Sequence, residues 1–511
     1  MAGTLVRKSL INAVAGVATT FAGFASSILV ARLIGVEGSG IIGFAVWAAT
    51  MSVMVADLGI PGSLARFLPE LRARASLADA DGLTRALLRP YLLVTLCVSG
   101  GFFAYAASLA AAQPDGIGWQ IHQGSYRASP LFWLLVGLAC LTQSLASFVT
   151  SYLRGVQDFA ALARLALLAA GAQIAATTVG IVAFGVGGAL AGAVIGSAVV
   201  MRQVLRLPRE GSPVPPVLRA RVVRYSVESW ASHLVTAFLW SRMEVIFLER
   251  SFGSHAVGLF TVSLTLSNLA MQGPLLLTGA LLSHLSQHSG AEHAETRLAL
   301  YPASVRLLAL FVFPLCLGTA GVMPLLLPLL FGDAFAPAVT AATILVGTAS
   351  LITIATIAYS YLFAMERTSF ILGSGLVGAV LAITAGLTVV PAAGLLGAAS
   401  ARAAIQLLVT GAIVWYARRS LGCVLPTLDL ARMFLAALLC AIAARIVVTV
   451  TSGVPGLMLA VLTGALVYAA ALRVLKPLPR ADLQRVRDAL RNLPVPLRSA
   501  ALASLRVIAP A

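Results

Sequence analysis

Charged residues are scarce: Asp, Glu, Lys and Arg together make up 10% of the 511 residues, where a soluble domain carries roughly 25%. That shortage excludes a soluble enzyme and a disordered chain. Cysteine is scarce as well. Cys97, Cys140, Cys316 and Cys440 lie inside apolar runs and Cys423 in a short loop, with no CxxC spacing, so a disulfide scaffold is excluded. Only Lys8 and Lys476 are lysines. The sequence has no P-loop, HExxH or GxSxG signature, which removes the common ATP-driven, zinc-protease and serine-hydrolase chemistries. Nor does apolarity alternate with polarity, as it would along the strands of an outer-membrane barrel.

What remains is apolar. Hydrophobic residues are 59% of the chain and mean hydropathy is +0.96. This supply suffices for about 14 helical spans of roughly 20 residues. We draw them near 10–34, 39–60, 90–112, 130–152, 160–184, 187–206, 225–249, 256–282, 302–330, 337–363, 370–391, 394–416, 431–450 and 455–475. The close pairs near Gly185 and Pro391 read either as two helices or as one broken helix. The N-terminal Arg7-Lys8 stretch reads as the entry to span 1 rather than as a cleaved leader.

The net charge of +17 is distributed unequally. Connections on one side, with both tails, hold 26 of the basic residues, and those on the other side hold only Arg32, Arg127 and Arg250. The positive-inside bias therefore places both termini in the cytoplasm. It makes anionic membrane lipids the expected partners of the arginines, and no nucleic acid is expected. The longest outer connection, Gln113–Ser129, has no room for an external catalytic domain. Residues 64–88, with Leu64, Phe67, Leu68 and Leu71 among arginines, read as an interfacial amphipathic helix. The tail after Pro479 reads as a second one.

Two spacings repeat. Arg32-Leu-Ile-Gly35 with Gly40 matches Arg250-Ser-Phe-Gly253 with Gly258, and Gly185-Val-Gly-Gly188 echoes Gly394-Leu-Leu-Gly397. Six spans separate the copies, so both halves enter the membrane in the same direction. The expected fold is an all-α integral membrane protein of about 14 transmembrane helices. It comprises two parallel six-helix lobes around a central cavity, plus a C-terminal helix pair. Its divisions are an N-terminal lobe 1–206, a cytoplasmic linker 207–224, a C-terminal lobe 225–416, the appended spans 431–475 and a basic tail 477–511. Gly188, Gly192 and Gly196 share one face of span 6 and point to close helix packing. Pro274 and Pro314 permit kinks in spans 8 and 9.

Ionisable residues inside spans cost at least about 2.5–3.5 kcal/mol and tend to face a cavity or a partner. Arg402 lies about eight residues, or roughly 12 Å, into span 12. Arg242 and Glu244 fall in the outer half of span 7, and Arg306 and Arg164 lie nearer the cytoplasm, within snorkelling reach. Arginine stays charged at any depth and grips phosphate with two parallel hydrogen bonds. The candidate substrate residues among these are therefore Arg402, Arg242 and Arg306. Asp57, Glu228 and Glu244 are candidates for ion pairing with them or for carrying coupling protons. His284, His288 and His293 are spaced like ligands, but they sit near a loop and lack a fourth donor, so neither a metal nor a cofactor is expected.

The opening, with Asn12, Ala31-Arg32-Leu-Ile-Gly35 and Gly40, resembles that of the polysaccharide transporter (Wzx-type flippase) family of the MOP superfamily. Asp57-Leu-Gly-Ile-Pro with Arg66, Leu330-Phe-Gly332-Asp333-Ala-Phe and the span layout extend the resemblance over most of the chain. It implies a non-enzymatic, inner-membrane exporter of polyprenyl-diphosphate-linked oligosaccharides for surface polysaccharide, with Asn12 and Arg66 as further candidate substrate residues. A polymerase and glycosyltransferases would be its working partners. The alternatives are a cation-coupled multidrug exporter, which should line its cavity with acids and aromatics; a lipid II flippase; and a membrane sugar polymerase or ligase.

Overall fold

In membrane hydrocarbon every backbone polar group needs an internal partner, so apolar runs of this length must become helices. The computed structural model describes residues 2–73, 76–112, 121, 124–208, 210–240, 242–287, 294–364, 368–477 and 479. Side chains are described for all of these except 2–15, 77, 235–240, 273–287, 294–300, 363–364 and 368. The described residues are helical with no strand. The helices are α1 (Ala2–Ala56), α2 (Ile60–Ala73), α3 (Leu77–Ala112), α4 (Pro130–Gly155), α5 (Phe159–Met201), α6 (Pro216–Trp240) and α7 (Glu244–Gln287). They continue as α8 (Ala294–Phe331), α9 (Val339–Ala364), α10 (Thr368–Leu421), α11 (Thr427–Val450) and α12 (Gly453–Leu475). Two compact units divide inside α7, Met1–Thr261 and Val262–Ala511, whereas the sequence repeat begins its second half near residue 225.

Four of these helices are broken at one glycine each, and these are the glycines of the repeat. Gly35 (φ 79°, ψ −166°) interrupts α1 and Gly253 (φ 72°, ψ −172°) interrupts α7. Gly185 (φ 57°, ψ −130°) interrupts α5 and Gly394 (φ 56°, ψ −134°) interrupts α10. These conformations are open to glycine and strained for other residues. At Gly185 the chain turns back on itself: a Cβ at Gly192 would lie 2.5 Å from the Thr177 nitrogen, and one at Gly196 2.8 Å from Gln173 Cβ. The glycine face of span 6 is thus the seam of a helical hairpin, and the pair near Gly185 is two helices. The equivalent hairpin in α10 sets Gly397 against Val389, eight residues earlier.

Among the described residues nine helices are long and apolar enough to cross a membrane, against the roughly fourteen spans drawn from the sequence. Three of the nine are glycine-broken stretches, Gly16–Ala56, Phe159–Arg206 and Ser369–Leu421, of 41, 48 and 53 residues. About 20 residues suffice for one crossing, so each is twice that length or more.

In the first unit two sequence readings need correction. Residues 64–88 are not one interfacial helix. α2 ends at Ala73 and α3 begins at Leu77, and the apolar face of α2 is spent on protein. Leu64, Phe67, Leu68 and Leu71 are buried in a core with Leu83, Leu87, Tyr91 and Phe148. Span 7 is not continuous either: α6 stops at Trp240 and α7 starts at Glu244. Within 207–224, expected as a linker, Leu207 and Ser212 contact the rest of this unit. Leu207 is buried in the same core, the Ser212 amide donates to the Ala78 carbonyl at 3.0 Å, and from Pro216 the chain is already α6.

In the second unit α11 and α12 pack on each other and on α8. The Tyr468 hydroxyl donates to the Leu310 carbonyl at 2.8 Å, and Gly321 lies against the Ala441 backbone. Pro314 is one of four prolines inside α8. The side chains of Pro274 and His284, the residues His288 and His293, and nearly all of the tail 477–511 lie outside the described residues.

Candidate substrate site

The turn after α1 brings several of the sequence candidates together. Leu58 (φ 51°) and Gly59 (φ 68°) are left-handed, and a Cβ on Gly59 would collide with the Ser226 carbonyl of α6. Only glycine meets both requirements, which accounts for the Asp57-Leu-Gly motif. The approach is fixed by the Ser63 and Ser226 hydroxyls, 2.6 Å apart, and by the Trp230 indole N–H donating to the Met54 carbonyl at 3.2 Å.

Asp57 caps this junction. Its Oδ1 is buried with no hydrogen-bond partner. Burial pushes its carboxyl above the ordinary value of 3.8, opposed by His233 and by the Gly59 amide. On the outer face of the junction Arg66 lies over the Tyr225 ring at 4.5 Å. Arg221 stacks on Phe67 at 5.0 Å and is held by both Glu70 oxygens at 2.9 and 3.0 Å. Glu228 is exposed and pairs with Arg224 one turn earlier at 2.9 Å. Asp57, Arg66 and Glu228 therefore cluster where α2 meets α6. The Asn12 backbone belongs to α1, but its side chain lies outside the described ones.

Farther along, Arg242 occupies the break between α6 and α7, half-buried, and Glu244 is buried in the first turn of α7. Arg242 is thus at a helix break rather than inside a span, because the chain leaves helical geometry there. In the second unit Arg306 of α8 is ion-paired with Asp429 of α11 at 3.3 Å, with side chains 14% and 23% exposed. Arg402 is 8% exposed and begins a buried polar stripe on α10 with Gln406 and Thr410. The spacing of four keeps all three on one helix face, and Thr410 donates to the Gln406 carbonyl at 2.6 Å. Gln406 and Thr410 went unselected in the sequence, although their spacing from Arg402 was legible.

One charged cluster was missed altogether. Glu249, buried in α7, accepts from the Tyr126 hydroxyl at 2.5 Å and pairs with Arg127 at 2.8 Å. Burial and then the hydrogen bond to Glu249 push the Tyr126 phenol above its ordinary range. Nothing in sequence spacing links residues 126 and 249. Among the described residues no group of His, Cys, Asp and Glu could hold a metal ion.

The family described as "Polysaccharide biosynthesis protein" matches residues 5–282, more than half of the chain. No curated protein sequence matches it. Solved structures share its fold, among them the following three. The lipid II flippase MurJ in an inward closed conformation is similar at TM-score 0.70 and 13% identity, over 91% of this chain and 98% of that one. An inward-facing multidrug resistance MATE family transporter of the MOP superfamily gives 0.65 and 15%, over 79% and 94%. A MOP superfamily transporter from Pyrococcus furiosus, described as having a binding pocket of reverse polarity, gives 0.53 and 14%, over 82% and 95%. At such identities the likeness establishes the fold alone.

Proposed function

Since the chain belongs to the polysaccharide biosynthesis protein family, whose solved structural relatives are membrane transporters and flippases rather than enzymes, we propose that it flips a polyprenyl-diphosphate-linked oligosaccharide across the cytoplasmic membrane by alternating access. Both termini would lie in the cytoplasm, and polymerase and glycosyltransferases would act before and after it.

The observation that carries this reading is Arg402. Its guanidinium, 8% exposed, opens a buried polar stripe with Gln406 and Thr410 on one face of a membrane helix, the setting in which an ionisable group tends to face a cavity or a partner. With Gln406 it supplies donors of the kind a diphosphate needs, and arginine binds two phosphate oxygens at once. Arg66, stacked on Tyr225 at the α2–α6 junction, is a second cation suited to a head group. Arg242 and Arg306 belong with them as candidates, the latter paired with Asp429. The competing reading, a cation-coupled drug exporter, draws on the buried carboxylates Glu244 and Glu249.

The test is deletion of the gene followed by measurement of lipid-linked glycan on each leaflet. Accumulation on the inner leaflet, reversed by the wild-type gene, is the expected result. Unchanged glycan together with lost efflux of cationic drugs would reverse the choice.

A further inference from the structure

The cluster around Glu249 is built unlike a permanent staple. Its Oε1 takes the Tyr126 hydroxyl at 2.5 Å and the Arg127 guanidinium at 2.8 Å. Its Oε2 is buried with no hydrogen-bond partner, as are Ser129 Oγ, three residues beyond Tyr126, and the Trp47 indole nitrogen. The same aromatic group joins them. The Phe44 ring lies 5.6 Å from Trp47 and 6.1 Å from Tyr126, and the Arg127 guanidinium lies over it at 5.3 Å. The Trp133 indole N–H holds the Arg127 carbonyl at 2.8 Å.

One carboxylate oxygen is thus strongly held, while its partner oxygen, Ser129 Oγ and the Trp47 indole nitrogen are buried without hydrogen bonds. Each unmet group is a standing cost to the closed arrangement. Opening would hydrate these atoms while breaking the Tyr126 and Arg127 hydrogen bonds to Glu249, and the Arg127 side chain is already 48% exposed, so gain and loss offset in part.

Its place in the repeat gives the same answer. Glu249 stands one residue before Arg250-Ser-Phe-Gly253, and the matching position of the first copy is Ala31, a buried alanine. The second copy alone carries a carboxylate there. Four residues on, the break at Gly253 swings the chain into the segment where Gly258 meets Gly40. A change at Glu249 therefore acts at the root of that contact.

We infer that Glu249, Tyr126 and Arg127 form a reversible latch on the face that the arginine count places outside, tying the segment before α4 to the start of α7. The inference rests on the transport cycle proposed above, in which that face must open once per turnover.

The test uses the full-length protein with its five native cysteines replaced by alanine, in lipid nanodiscs. Ser129→Cys reports opening through its rate of reaction with a hydrophilic maleimide. Adding Glu249→Gln should raise the rate roughly tenfold, the scale of a lost charge-assisted hydrogen bond. Tyr126→Phe removes only the hydroxyl and should raise it by less. Unchanged rates in both folded variants would overturn the latch, and should Glu249→Gln fail to fold, Tyr126→Phe decides alone. In cells, a reductant-cleavable bis-thiosulfonate linking Tyr126→Cys to Glu249→Cys should stop glycan export until reductant is added. Undiminished export by the linked protein would equally overturn the latch. If wild-type protein exports no glycan, the flippase reading fails while the nanodisc rates still decide the latch.

Discussion

Gly40 and Gly258 meet reciprocally inside the first unit. A Cβ on Gly40 would collide with the Ser254 carbonyl and lie 2.9 Å from the Gly258 nitrogen. One on Gly258 would collide with the Val36 carbonyl and lie 3.1 Å from the Gly40 nitrogen. Val36 and Ser254 are separated by 218 residues, as are Gly40 and Gly258, so each motif copy presents to the other the surface that it receives. This is the signature of a local two-fold axis passing between them.

Because both collisions are with backbone, no rotamer change can relieve them. Gly40→Ala and Gly258→Ala should each destabilise the protein by about 1–3 kcal/mol, the range for overpacking a tight interface. The double variant should be no better than the worse single one. Thermal unfolding in detergent checks this, with Gly171→Ala, where a Cβ meets nothing within 4 Å, as the control. Equal melting temperatures for Gly40→Ala and Gly171→Ala would refute the reciprocal fit.

The glycine positions were legible in the sequence because a backbone that must adopt positive φ leaves a residue-type trace. Gly35, Gly253, Gly185 and Gly394 were picked out by spacing alone, and they proved to be the four helix breaks. Apolar runs likewise disclosed the spans, since the bilayer demands them. What spacing could not disclose were encounters between distant segments. The apolar face of α2 looked ready for lipid because Leu64 and Phe67 carry no record of Tyr91 or Phe148 across from them. Glu249 resembled any charge at a span end until Tyr126 stood beside it. Arg242 seemed deep because apolar residues flank it, Ala237-Phe-Leu-Trp240 before and Val245-Ile-Phe-Leu248 after, across the break at 242–243.

Asp57 should make stability depend on pH. Burial raises its folded-state pKa above the ordinary 3.8, so the folded state holds the proton more tightly than the unfolded chain. Below pH 3.8 both states are protonated and the carboxyl carries no penalty. As pH rises through the raised folded value, the folded protein must bury a charge and stability falls, then levels off. Asp57→Asn removes that cost, so its melting temperature should exceed wild type more at pH 7 than at pH 4. A constant difference across this range would show that Asp57 titrates normally.

The Arg306–Asp429 pair should prove structural. Asp429→Asn leaves a largely buried guanidinium without its counter-charge and should cost about 1–3 kcal/mol, somewhat less than a fully buried pair. The double change Arg306→Met, Asp429→Leu should recover most of that loss by packing. If glycan export follows melting temperature across the three proteins, Arg306 fastens α11 to α8. Export that stays lost in a restabilised double variant would return Arg306 to the substrate residues.

Arg402 is the sharper test of substrate recognition, because lysine and arginine differ there in kind. Lysine preserves the charge on the α10 stripe but not the planar fork that holds two phosphate oxygens, and it is more strongly hydrated. Arg402→Lys should therefore export glycan less well than wild type at matched protein levels, and Arg402→Ala should be worse. Melting temperature is measured beside export, so that a loss of Arg402's contacts within the protein is told apart from a loss of transport. Gln406→Ala should weaken export modestly through the same face, about one hydrogen bond's worth, or roughly 0.5–1.5 kcal/mol. Leu408 is exposed on the same helix, and Leu408→Ala should leave export unchanged. Wild-type export by Arg402→Ala would remove the diphosphate contact from this helix, whatever the melting temperatures show.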